Sequence, residues 1–281
     1  MAIFVTQHVR RMRGGAQSHL MRASDGNFYV VKFQNNPQHP RVLVNEWLAT
    51  RIAERIGLPV ATPEIVEVSE WLINKTTELH MQLGGKKTPC TPGLQFGSRY
   101  VIGPMDGQIL DYMPESLLDE SHVRNLEIFP GALAFDKWTC NGDGRQMVYW
   151  RKGRERKYTA TLIDQGYCFN AGEWSFPDSP LRGVFSMNAV YARVQGWESF
   201  EPWLSRIESF EPSTLDGFAE AVPPEWYAGD WDALQELVAR LVARRSRVRQ
   251  LIEEFRKSSR DPFPNWKGAG AESTVKKHFV M

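Results

Sequence analysis

The run Phe135-Asp136-Lys137-Trp138-Thr139-Cys140-Asn141-Gly142-Asp143-Gly144-Arg145-Gln146 is followed by two strand-like stretches and then by Leu162-Ile163-Asp164-Gln165-Gly166. The stretches Gln146–Arg151 and Tyr158–Ile163 read as paired strands joined by the charged turn Lys152–Arg156. Paired strands lie about 5 Å apart. A hairpin here therefore brings Asp143 and Asp164 to the same end, where they share one site. Two neighbouring carboxylates repel unless a cation or a proton comes between them. Magnesium takes one or two carboxylates together with substrate phosphates. The competing reading is turn chemistry alone, since Asn-Gly-Asp-Gly is ordinary loop sequence. The hairpin geometry favours the shared site.

Outward from this centre the chain divides by composition. Phe129–Thr139 has the apolar density of a buried helix. Trp197–Phe210 and Trp231–Lys257 also read as helices, the last carrying Leu234, Leu237, Leu241, Val248, Ile252 and Phe255 at helical spacing. The segment 267–281 is small and polar, and is expected to be a mobile tail. The first third is strand-rich: the short apolar run Ala2–Val5, then His19–Arg22 and Phe28–Phe33 flanking Ser24-Asp25-Gly26, a hairpin signal. Arg41–Ile56 turns helical and ends at Gly57 and Pro59. Ile65–Val68 and Tyr100–Ile102 read as strands, and Lys75–Gly97 is polar and turn-rich without a clear period. The expectation is an α+β chain with a strand-rich lobe over residues 1–103, a mainly helical lobe over 104–266, and a ligand cleft between them.

Lys32 lies inside an aromatic and β-branched strand, where lysine is normally depleted. Alternation places it on the face of Phe28 and Val30. An edge-strand lysine reaching water would need no further account. Glu46, however, falls on the apolar stripe of the next helix, and a buried carboxylate needs a partner. Lys32 is the economical one, although an acid near a helix start is also favoured by the dipole. A strand lysine paired with a helix glutamate is the arrangement that clamps ATP phosphates in kinases. The small-residue turn Gly14-Gly15-Ala16-Gln17-Ser18 comes just before this hairpin, and its backbone amides can lie over phosphates.

Composition narrows the classes. The chain has 281 residues, 42% hydrophobic and 24% charged, enough for a real core. A net charge of +1 gives no global pull toward nucleic acid or membrane. Three scattered cysteines, Cys90, Cys140 and Cys168, argue against a disulfide framework or a zinc site. The six histidines show no ligand spacing. No signal peptide or membrane span is read, so a cytoplasmic location is expected.

In order, Gly-Gly-Ala-Gln-Ser, Val-Val-Lys32-Phe, Val-Asn-Glu46, Asn-Gly-Asp143-Gly-Arg-Gln and Ile-Asp164-Gln-Gly resemble the HipA-like kinases and, more distantly, the phosphatidylinositol kinases. The resemblance spans about Gly14 to Phe169. It implies a two-lobed protein-kinase-like fold, ATP and Mg2+ as cofactors, and a protein as phosphate acceptor. Lys32 would hold the α- and β-phosphates and Glu46 would orient it. Gly14, Gly15, Ala16, Gln17 and Ser18 would cover the nucleotide, and Tyr100, Val101 and Ile102 would form the hinge beside adenine. Asp143 would take the acceptor proton, Asp164 would bind the metal, and Asp136 would support the catalytic loop. The sequence departs from the pattern in two places. No asparagine follows Asp143, leaving Gln146 as the substitute metal ligand, and the usual arginine is displaced to Arg145. Three functions stay open: a Ser/Thr-type phosphotransferase, a nucleotide-binding pseudokinase, and a nucleotidyl transferase using the same cleft.

Overall fold

The computed structural model describes residues 3–267, so nearly all of the tail expected at 267–281 lies outside the described residues. The elements run in chain order β1 (Ile3–Arg11), β2 (His19–Ala23), β3 (Phe28–Lys32), α1 (Val42–Arg55), β4 (Pro63–Val68), α2 (Glu70–Lys75), β5 (His80–Leu83), β6 (Lys86–Pro89), β7 (Gly93–Arg99) and β8 (Gly107–Leu110). They continue through α3 (Ile128–Thr139), β9 (Gln146–Lys152), β10 (Thr159–Ile163), α4 (Trp203–Glu208), α5 (Pro212–Glu220), α6 (Trp231–Arg244) and α7 (Val248–Arg256). The architecture is mixed α+β, strand-rich first and helical after.

Strands β1-β2-β3-β7-β4 close into a barrel. The β2–β3 turn forms at Asp25-Gly26, where Gly26 takes φ +82° and Asp25 accepts a bond from the Asn27 amide at 3.0 Å. Val5, Met21, Tyr29, Val31, Phe33, Val66 and Val68 fill the barrel, sealed from outside by Leu72 and Ile73 of α2. β7 closes it at Gly97, where a Cβ would come within 3.0 Å of Val66 and 3.3 Å of Tyr29. A second core joins α1, α3, α6 and α7. Helix α1 is buried from Val42 to Thr50 on every face, because it lies between the barrel and the helical part: it touches β4 and β7 on one side and α5 on the other. The short sheet β10-β9-β8 forms the floor beneath.

Several expectations are corrected. Tyr100–Ile102 is not a strand; the strand is β7, ending at Arg99, and the chain turns out of the barrel through Tyr100–Gly103. The unreadable stretch Lys75–Gly97 holds the β5–β6 hairpin and most of β7. The helix expected over Trp197–Phe210 is a 3-10 turn at Trp197–Phe200 followed by α4. Pro202 separates them, as it offers no amide to continue a helix. The helix over Trp231–Lys257 is likewise α6 and α7, joined by the tight turn Arg245–Arg247.

Candidate functional site

A cleft of about 1000 Å³ lies between the barrel and the helical part. That size accommodates a cofactor-sized ligand. Lys32 projects into it, because strand alternation sends Lys32 and Val30 to the cleft while Tyr29 and Val31 fill the barrel. Glu46 stands in the second turn of α1 and pairs directly with the Lys32 ammonium. The same Nζ donates to Asp164 Oδ1 at 2.7 Å. Glu46 and Lys32 are buried, and Asp164 keeps 22% side-chain exposure toward the cleft.

One cation thus faces two carboxylates. Burial pushes the Lys32 pKa down, but Glu46 and Asp164 outweigh it and hold the ammonium above its ordinary range. Burial raises Glu46, and the Lys32 charge recovers only part of that. Burial also acts upward on Asp164, yet Lys32 draws it below the usual carboxylate range.

The opposite wall is the loop between α3 and β9. The pairing Gln146↔Ile163 sets Asp143 and Asp164 at the same end of the β9–β10 hairpin, and both line the cleft. Helix α3 ends at Cys140, in left-handed conformation at φ 50°, which reverses the chain toward Asp143. Asn141 donates to Asp136 Oδ1 at 3.0 Å and accepts from the Asp143 amide at 3.1 Å. Asp136 is therefore the buried anchor of this loop, and it also takes two bonds from Arg145. Asp143 remains exposed, its carboxylate free apart from the Gly144 amide and a 3.4 Å contact from Gln146 Nε2.

The expected cover and hinge residues divide. Gly14, Gly15, Ala16 and Ser18 line the cleft as the β1–β2 loop. The Gln17 side chain instead faces away: it accepts from Arg11 and from the Gln82 amide at 2.8 Å, tying the loop to β5. Tyr100 and Val101 border the cleft, whereas Ile102 is 4% exposed and packs inward.

Two supports were not assigned roles in the sequence. Asn45 Nδ2 reaches the carbonyls of Gly166, Cys168 and Ala171 at 2.8, 2.9 and 2.8 Å, fastening the segment after Asp164 to α1. Gly166 permits that approach, since a Cβ there would sit 2.8 Å from Val42 and 3.1 Å from Glu46 Oε1. The signal for Asn45 lies in Val-Asn-Glu46, where an asparagine buried on a helix must find hydrogen-bond partners. Val30, Ala61, Phe96, Met113 and Met147 supply an apolar wall that comes from separate elements and has no local signature.

Oxygen donors from Asp143, Asp164 and Gln146 suit a hard divalent cation. Among the described residues, no group of three or more His, Cys, Asp or Glu side chains could hold a metal ion alone. A cation here would take water or phosphate oxygens as further ligands.

A family model described as HipA-like kinase matches residues 5–259. The chain belongs to the HipA-like kinase family. By family it is a kinase-type phosphotransferase. Among solved structures, this HipA-like kinase resembles a Helicobacter pylori proinflammatory kinase, CtkA, with a TM-score of 0.55 at 11% identity, covering 90% of this chain and 99% of that one. It also resembles the Golgi casein kinase with Mn/ADP bound (TM-score 0.50, 11% identity, 92% and 73% covered). A third is the Shewanella oneidensis MR-1 toxin–antitoxin complex of HipA, HipB and operator DNA (TM-score 0.50, 13% identity, 90% and 68% covered). At these identities the likeness is one of fold. No curated protein sequence matches the chain.

Proposed function

We propose that this HipA-like kinase is an ATP- and Mg2+-dependent phosphotransferase acting on a serine or threonine hydroxyl of a protein. The observation that carries the proposal is Lys32, bound at once to Glu46 and to Asp164 at the back of the cleft. Such an ammonium is placed to hold α- and β-phosphates, with Glu46 fixing its position. The strand-rich lobe, to residue 103, supplies the cover through the backbone amides of Gly14 to Ser18. Tyr100 and Val101 border the base, and the helical lobe from residue 104 supplies Asp143 and Asp164. The Mn/ADP bound to the Golgi casein kinase supports the use of nucleotide and a divalent metal by a protein of this fold.

Asp143 orients the acceptor oxygen and takes its proton as that oxygen bonds to the γ-phosphorus, while the bond from the γ-phosphorus to the β,γ-bridging oxygen breaks and ADP leaves. Asp164, with Gln146 as the candidate second donor, would hold the cation, which would supply neutralisation of the phosphate charge. Lys32 then passes from Asp164 to the phosphates. Incubation with γ-labelled ATP, Mg2+ and protein acceptors should give transfer that falls at least about 100-fold in Asp143→Asn, the order expected for a lost general base. Label passing from the α-position instead would point to nucleotidyl transfer.

One observation favours a second reading, a nucleotide-binding pseudokinase. Asn141 is committed to the Asp136–Asp143 scaffold, and Gln146 turns its amide toward Asp143. That reading expects nucleotide binding with no Asp143-dependent transfer. No described helix is long and apolar enough to cross a membrane. The three buried free cysteines are compatible with the cytoplasmic location proposed here.

A further inference from the structure

We propose that Arg145 is a positioning residue that sets the register between Asp143 and Asp164, and through it the affinity of the site for its divalent cation. The inference rests on the roles given above to those two aspartates.

Arg145 lies two residues after Asp143, and its side chain is 1% exposed. A guanidinium presents five donors in a rigid planar fork. Here the fork is used in two directions. One edge grips Asp136, with Nε 2.9 Å from Oδ2 and Nη2 on Oδ1. Nη1 reaches across to the other loop, 3.1 Å from the Ile163 carbonyl and 2.8 Å from Gln165 Oε1. Its two acceptors there flank Asp164 in sequence on either side.

This cross-brace lies where the sheet ends. The β9–β10 ladder stops at the pair Gln146↔Ile163, and the next residue, Asp164, leaves it at φ +58°. A left-handed aspartate is strained and persists only where its surroundings over-determine it. Arg145 supplies bonds on both sides of that residue. The path is continuous: Asp143 amide to Asn141, Asn141 to Asp136, Asp136 to Arg145, Arg145 to the residues on each side of Asp164. A shift of the backbone at either aspartate disturbs a hydrogen bond of this network. Groups that orient a metal ligand in this way change metal affinity by about 10–100-fold when removed. Lysine in place of Arg145 keeps the charge but not the fork.

The test measures binding of a fluorescent ATP analogue in EDTA and across a Mg2+ titration. It uses wild type, Gln165→Leu, Gln165→Glu and Arg145→Lys, with thermal melts as the fold control. Gln165→Leu removes one acceptor of the brace, and Gln165→Glu restores an oxygen there. The expected result is a half-saturating Mg2+ concentration raised at least tenfold in Gln165→Leu and Arg145→Lys, restored to within about threefold in Gln165→Glu. Metal-free binding should change by less than about threefold, because none of the variants removes Lys32, its Glu46 partner or the β1–β2 loop. If Gln165→Leu does not fold, Gln165→Asn, which withdraws the acceptor by one methylene, takes its place. A folded variant with wild-type Mg2+ dependence, or one that loses metal-free and metal-dependent binding by the same factor, overturns the inference. A wild type whose nucleotide binding ignores Mg2+ overturns instead the reading on which it rests.

Discussion

Two ionic assemblies border the cleft, and they are built to opposite rules. Asp136 and Arg145 form a neutral pair, 0% and 1% exposed, and Nη1 of the guanidinium bonds Ile163 and Gln165, so that each of its three nitrogens has a partner. Lys32, Glu46 and Asp164 carry one positive charge against two negative, and the third member stays open to the cleft. The first balances its charge internally. The second has a surplus carboxylate, which burial makes costly unless a cation compensates it. Saturation marks scaffold; imbalance marks the place where a charged ligand is expected.

That contrast can be broken most severely through the saturated pair. Arg145→Met leaves Asp136 buried without its partner and should cost about 3–5 kcal/mol, a Tm fall of roughly 10 °C by scanning calorimetry. An equal Tm in the variant would show that the pair is no scaffold. Lys32→Met should cost less at neutral pH and respond to acid in a diagnostic direction. The variant leaves two carboxylates facing each other, and Glu46 already has its folded pKa raised above the ordinary 4.5 by burial. A folded pKa raised above the unfolded one gives stability at low pH that is lost as pH rises through that interval. The variant should therefore melt closer to wild type at pH 5 than at pH 8. A gap that widens on acidification would contradict the surplus-charge description.

Alkali sharpens the same point. Burial opposes the Lys32 charge, but Glu46 and Asp164 raise its folded pKa above 10.5. Its contribution is complete below about pH 10.5 and is lost as pH rises above it, whereas the guanidinium of Arg145 stays charged. The wild type should lose stability between pH 10.5 and 12 more steeply than Lys32→Met. The smallest effect on stability belongs to Asp164→Asn, which removes the surplus and leaves Lys32–Glu46 balanced. Its Tm should stay within the equivalent of about 1 kcal/mol of wild type, while the Mg2+-dependent nucleotide shift disappears. A nucleotide shift that persists undiminished would move the metal elsewhere.

Much of this was legible because the deciding side chains stand against their local context. Lys32 in a β-branched strand and Glu46 on an apolar helical stripe each ask for a partner, and the ion pair answers both. The hairpin that joins Asp143 to Asp164 was readable from two apolar runs and a charged turn. The barrel's closing strand was not readable, because β7 carries Gly93, Gln95 and Gly97 where a strand pattern expects bulky residues. Gly97 is demanded by the closeness of Tyr29 and Val66, and Gln95 by its bond to the Gln34 amide at 2.8 Å. Both are tertiary reasons. The bracing role of Arg145 was hidden for the same cause: a buried arginine declares its partners only when the chain has folded around it.

The sequence separations within the Lys32 assembly bear on the order in which it is made. Glu46 follows Lys32 by 14 residues, whereas Asp164 follows it by 132. During synthesis the strand lysine and its helix partner emerge almost together and can neutralise each other within a nascent barrel. The second acid arrives several seconds later at ordinary elongation rates of about 5–20 residues per second. The surplus negative charge therefore enters last, once the floor of the cleft has been made. Until then a half-synthesised chain holds the two members of the balanced pair and lacks the third, so the charge imbalance of the finished cleft cannot arise before the β9–β10 hairpin has been made.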